Sequence, residues 1–134
     1  MSFFISCSKE ELEPDPIDSQ SNGDFNYSIN GAAFQKADSA VYFALNTTVY
    51  AYKNGTSTSF EINLSALTPS TYYISSATGN QFIYTTNNVD YSGSSGNFII
   101  SSNTNNKLAG TFSCALSGGT FTSATGNFSD LPRR

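Results

Sequence analysis

Histidine is missing from all 134 residues, and so is tryptophan. Without histidine the chain lacks the usual general base near neutral pH and the commonest metal ligand, and Ser-His-Asp and Cys-His arrangements are excluded. Charge is scarce as well, at 12% of residues. Proline occurs four times, and Pro69 is the only one between Pro16 and Pro132, which suits a body built of hydrogen-bonded ladders. No apolar run approaches the roughly 20 residues of a membrane-spanning helix. Any membrane association must therefore come through a covalent lipid.

What is abundant is Ser, Thr, Asn and aromatic residues, the pattern of strands that alternate Tyr, Phe or Ile with Thr, Ser or Asn. The formal charge of −4 is unevenly spread. Glu10, Glu11, Glu13, Asp15, Asp18 and Asp24 all precede or open the first strand pattern, and the remainder is close to neutral. Lys36, Lys53, Lys107, Arg133 and Arg134 are too few and too scattered to neutralise a row of phosphates, so nucleic acid is not an expected partner.

Along the chain, residues 1–7 carry a short apolar scrap, Phe3-Phe4-Ile5-Ser6, ending at Cys7. An h-region needs about 7–15 apolar residues, so this is expected to be the truncated remnant of a lipoprotein signal. Residues 8–23 are rich in Pro, Glu, Asp, Ser and Asn and read as a disordered acidic tether. As a coil of about 15 residues it would span on the order of 20 Å. Residues 24–132 are expected to form one β-domain.

That domain opens with Phe25, Tyr27 and Ile29 alternating with Asn26 and Ser28, then Asn30-Gly31, a dipeptide suited to a type I′ turn. Asn54-Gly55 predicts a second tight turn. In Thr48 to Lys53, Lys53 shares parity with Val49 and Ala51, which favours Tyr50 and Tyr52 facing inward. Phe60, Ile62, Leu64 and Ala66 make the cleanest inward face. Further strands are expected around Thr71 to Ser76, Gln81 to Thr86 and Asn97 to Ser102, with Ser92 to Gly96 as a flexible loop. From Lys107 to Ser117 alternation puts Leu108, Gly110, Phe112, Cys114 and Leu116 on one face, so Cys114 reads as a small buried hydrophobe, not a partner for Cys7. In the last strand Phe121 and Phe128 differ in parity, which predicts a bulge near Gly126. The expected fold is all-β, an antiparallel meander of about nine or ten strands forming a sandwich or a flattened barrel.

Candidate chemistry is thin. Beyond Asp24 the only carboxylates are Asp38, Glu61, Asp90 and Asp130, no two close in sequence, and each suits a turn or a solvent face. No catalytic residue and no metal or cofactor site is expected. Asn87 to Asp90 and Asn103 to Asn106 offer oxygen ligands without the spaced carboxylates of a calcium loop, and turns explain them better. The eight tyrosines suit core filling first, and otherwise an aromatic platform or a pocket with polar tips.

Phe4-Ile5-Ser6-Cys7 resembles the relaxed lipobox of Bacteroidetes lipoproteins, with Cys7 as the acylated residue. Ser8-Lys9-Glu10-Glu11 resembles the signal that sends such lipoproteins to the outer surface, carried by Lys9, Glu10 and Glu11. The folded part is similar to a family of small lipoproteins of that phylum known only as a domain of unknown function. That likeness rests on Phe25 to Phe34, on Ser70-Thr71-Tyr72, and on Gly110 to Ser113 with Gly126-Asn127-Phe128. Two departures are the missing h-region and Ala124, where a larger apolar residue would stand. Asp38-Ser39-Ala40 resembles the three-residue O-glycosylation signal of these bacteria.

The resemblance implies an outer-membrane lipoprotein, lipid-anchored through Cys7 and periplasmic or surface-exposed. The expectation is thus a monomeric, non-catalytic binding or interaction module whose partner is a protein or glycan of the envelope. The alternative is a carrier of a small lipophilic ligand or glycan inside a barrel cavity.

Overall fold

The computed structural model describes residues 23–53 and 57–134. Cys7, Lys9, Glu10 and Glu11, the acidic stretch 8–22 and the Asn54-Gly55 turn lie outside those residues. Ten strands make up the body: β1 (Asp24–Ile29), β2 (Gln35–Lys36), β3 (Ser39–Phe43), β4 (Thr48–Lys53), β5 (Thr58–Asn63), β6 (Ser70–Tyr73), β7 (Gln81–Thr86), β8 (Val89–Thr104), β9 (Lys107–Leu116) and β10 (Ser123–Pro132). The protein is all-β, with no helix among the described residues.

The strand order is β2-β1-β10-β9-β8-β7-β5-β4-β3, every neighbour antiparallel. This curled meander brings the first and last strands side by side. Its far edge returns to its beginning, because the Gly23 and Arg134 amides donate to the carbonyls of Ala40 and Tyr42 on β3. The result is a roll, close to a flattened barrel.

Asparagine sets the tight turns. Asn30 and Gly31, Asn87 and Asn88, and Asn105 and Asn106 all hold positive φ between 52° and 74°, the conformation of type I′ turns. Asparagine tolerates this region better than other side chains do.

The sixteen-residue β8 carries the roll from one half to the other. Its start pairs with β7 and its later part with β6 on the same side, while β9 runs along its opposite side. Here the structure corrects the expected loop at Ser92 to Gly96, which is strand. Gly96 makes this possible: a Cβ built there would overlap the backbone of Ser113 and Cys114, so only glycine lets β8 cross so close to β9.

The interior is filled by rings. Phe60 lies 5.2 Å from Phe25 and 6.0 Å from Phe82, and Phe112 lies 5.4 Å from Phe25 and 5.3 Å from Phe82, so each ring links the two halves of the roll. Phe98 and Phe128 extend the cluster. The face Leu108, Gly110, Phe112, Cys114 and Leu116 is buried along its whole length, as alternation predicts.

Three further expectations are corrected. Val49 and Ala51 face the core, and Tyr50 and Tyr52 face outward, because Val49 and Ala51 pair with the inward Ile62 and Phe60. The bulge in β10 falls between Phe128 and Leu131, where Asp130 takes a φ of 54°, and not near Gly126. Gly126 pairs regularly, and a Cβ there would overlap the Phe112 ring and the Asn26 carbonyl. The bulge lets both Phe128 and Leu131 point inward despite their odd spacing. The strand after Pro69 is also shorter than expected, ending at Tyr73.

Candidate functional site

The roll has two unlike ends. At one, the connection after β5 folds inward and buries Leu64 and Leu67 in the same core cluster as Leu108 and Leu131. Asn103 fastens it there, donating to the Leu67 carbonyl (3.1 Å) and accepting from the Tyr42 hydroxyl (3.3 Å). Tyr72 adds a bond to the Thr68 carbonyl (2.6 Å). That end is packed with leucine and the Asn103, Tyr42 and Tyr72 side chains are hydrogen-bonded; a hollow of about 260 Å³ lined by Asn105, Lys107, Leu108 and Asp130 lies beside it.

At the other end the ring cluster stops at Tyr27 and Tyr84, which pack on Phe60 at 4.6 and 5.1 Å. Beyond them lies a cleft of about 360 Å³. Ile29 and Ala32 of the first hairpin and Phe121 of the β9–β10 connection supply its apolar walls; Gln35, Lys53 and Thr58 supply polar ones.

Each wall has a local cause. Phe121 stands edge-on to Tyr84 (5.5 Å) and Tyr91 (4.9 Å). Its loop is held by Asn30, whose Nδ2 donates to the Thr120 carbonyl (3.0 Å) and whose Oδ1 accepts from the Thr122 and Ser123 amides (2.7 and 3.3 Å). Asn30 therefore forms the turn and positions the aromatic wall.

Lys53 is the last residue of β4, on the inward face, where that face runs out of core. Its ammonium group reaches the mouth with 26% of the side chain exposed, 3.7 Å from a carboxylate oxygen of Asp38. At that separation the pair nearly balances its charge without the short contact of a tight ion pair.

Tyr27 is only 4% exposed. Its hydroxyl makes no hydrogen bond among the described residues. Burial raises its pKa above the usual phenol value, with smaller contributions from Tyr84 and Asp38. Burial raises that of Tyr84 too, opposed in part by a hydrogen bond with Thr86. Both phenols are neutral at physiological pH, each able to donate and to accept.

The carboxylates do not converge, and Asp24 on β1 is paired with Lys36 at 2.7 Å. Asp38 is at the open end. Glu61 lies on the outer face of β5, accepting from Asn63 at 2.8 Å, and Asp90 accepts from Thr85 at 2.7 Å on β7. By strand spacing Glu61 and Asp90 stand roughly 12 Å apart at their Cα atoms. Asp130 occupies the β10 bulge. Cys114 is a buried free thiol whose pKa burial pushes up to about 12. Among the described residues no group of three or more acidic or cysteine side chains is placed to hold a metal ion.

The tyrosines divide by position. Tyr42 and Tyr72 are core with paired hydroxyls, whereas Tyr27, Tyr84 and Tyr91 build the open end. Tyr50 and Tyr52 lie outside with parallel rings 6.4 Å apart, and Phe43 meets Tyr50 edge-on. Sequence reasoning missed Lys53 and Phe121 as site residues. The signal for Lys53 was its shared parity with the apolar Val49 and Ala51 at a strand terminus, which fits a mouth as well as a solvent face.

Comparison with protein-family models, with curated proteins and with solved structures found no match.

Proposed function

We propose that this chain is a lipid-anchored, non-catalytic binding module of a bacterial cell envelope, and that its open end is where it binds. The observation that carries this reading is the concave, aromatic-walled cleft with unspent polar groups at the end of a roll whose centre is packed with phenylalanine rings. Concave sites with apolar walls and a few convergent polar groups are the usual form of small-ligand sites. Anchoring rests on Cys7 after Phe4-Ile5-Ser6, with Lys9, Glu10 and Glu11 as the export signal to the outer membrane and residues 8–23 as the spacer. Two or three acyl chains, at roughly 0.8 kcal/mol per buried CH₂, would hold the module almost permanently.

The dispersed carboxylates favour binding over hydrolysis by a carboxylate pair. A carrier that encloses a lipophilic ligand has less support, because phenylalanine rings occupy the space it would need. Labelled palmitate fed to cells making the full precursor tests the anchor. Incorporation into the wild type and none into Cys7→Ser is expected; a wild-type chain that takes up no label contradicts it.

A further inference from the structure

We infer that the open-end cleft takes a neutral, polyhydroxylated ring, a single hexose-sized residue of a glycan. This deepens the binding-module reading and rests on it.

Three observations converge on that chemistry. The first is Tyr27. Its ring packs against Phe60 and is almost fully buried, its hydroxyl has no partner among the described residues, and the residue lines the cleft. A buried hydroxyl left unpaired is costly, so a ligand group that both donates and accepts is favoured there. A sugar hydroxyl does both.

The second is charge. Among the described residues Lys53 is the only cation lining the cleft, and a carboxylate oxygen of Asp38 lies 3.7 Å from its ammonium nitrogen. An anionic ligand gains Lys53 and meets Asp38; a cationic ligand faces the reverse. A neutral ligand whose hydroxyls accept from the ammonium group draws on Lys53 without bringing a second charge to the pair.

The third is shape. Phe121 and Tyr84 meet edge-on, forming an aromatic corner, and the space in front of it is about 360 Å³. That is at the small end of ligand sites and suits one ring, not a chain. The C–H face of a pyranose packs on an aromatic wall while its rim hydroxyls reach Lys53, Gln35 and Tyr27. Asn30 is spent on the β9–β10 loop and acts as a positioning residue only.

The test uses the full chain without its lipid, with saturation-transfer NMR on the methyl glycosides of glucose, galactose, mannose and N-acetylglucosamine. Glucuronate, protonated glucosamine and octanoate serve as competitors. The expected result is saturable binding of at least one neutral glycoside. Lys53→Met should weaken it about tenfold and Tyr27→Phe about three- to fivefold, the range for a charge-assisted and a neutral hydrogen bond. Cooperative melting of both variants at or above the wild-type temperature shows that they fold. Binding of no neutral glycoside overturns the inference, as does neutral binding that neither variant weakens. Tight binding of glucuronate, glucosamine or octanoate that the variants weaken overturns the ligand class while leaving the cleft as a binding site. That separates failure of this inference from failure of the binding-module reading.

Discussion

The closed and open ends of the roll are made from the same strands and obey opposite rules. At the closed end Leu64, Leu67, Leu108 and Leu131 are buried, and Asn103 bridges the Tyr42 hydroxyl and the Leu67 carbonyl. At the open end the core gives way to phenols, an ammonium group and a loop held by one asparagine side chain. The closed end spends its polar groups on itself. The open end leaves some unspent, which is what recognition requires.

The widest predicted gap between the ends is in stability. Leu131→Ala removes a fully buried side chain from the closed end and should cost about 2–5 kcal/mol in urea unfolding. Phe121→Ala removes a larger but half-buried ring and should cost about 1–1.5 kcal/mol. Equal costs would erase the distinction between the two ends.

Alkali should act mainly on the open half. Cys114 has its pKa raised from 9.0 to about 12 by burial, and Tyr27 and Tyr84 are raised in the same direction. A raised folded-state pKa gives stability that is fully present below the unfolded value and is lost as pH climbs toward the folded one. Cys114 alone should therefore withdraw on the order of 4 kcal/mol between about pH 9 and 12, at 1.36 kcal/mol per unit. Urea unfolding at pH 8 and pH 11 should show a steep loss in the wild type and a visibly smaller one in Cys114→Ala. Identical losses would place the sensitivity elsewhere.

A smaller effect isolates the loop. Asn30→Ala frees the Thr122 and Ser123 amides and should cost about 1–2 kcal/mol, with faster hydrogen exchange at those amides. Exchange around Leu64 and Leu67 should not change.

The contrast between the ends also marks what was legible in the sequence. Lys107 to Leu116 alternates without a break, so both its strand state and its buried face could be read directly. The asparagine turns at Asn30, Asn88 and Asn105 were equally clear, because a local preference for positive φ needs no tertiary partner. Ser92 to Gly96 looked like a loop because glycine and serine carry no inward pattern; its strand state comes from β9 running alongside. The face of β4 was misassigned for a related reason. The charge of Lys53 suggests a solvent face, but what decides the face is the pairing of Val49 with Ile62 and Ala51 with Phe60, a fact of register. The bulge was misplaced because Phe121 precedes β10 and says nothing of that strand's parity. The cleft itself was not legible. Tyr27, Lys53, Tyr84 and Phe121 come from four separate segments, and only the closure of the roll gathers them.

The most direct measurement is a paired one on Tyr27→Phe, which deletes a single oxygen at the boundary between core and cleft. Its melting temperature and its affinity for the tightest-binding neutral glycoside should move apart. If the hydroxyl is unpaired in the fold and kept for a ligand, the melting temperature stays level or rises by a few degrees while affinity falls about three- to fivefold. A variant that melts several degrees lower and binds as the wild type does would show that the hydroxyl serves the fold, and the account of the open end would fail.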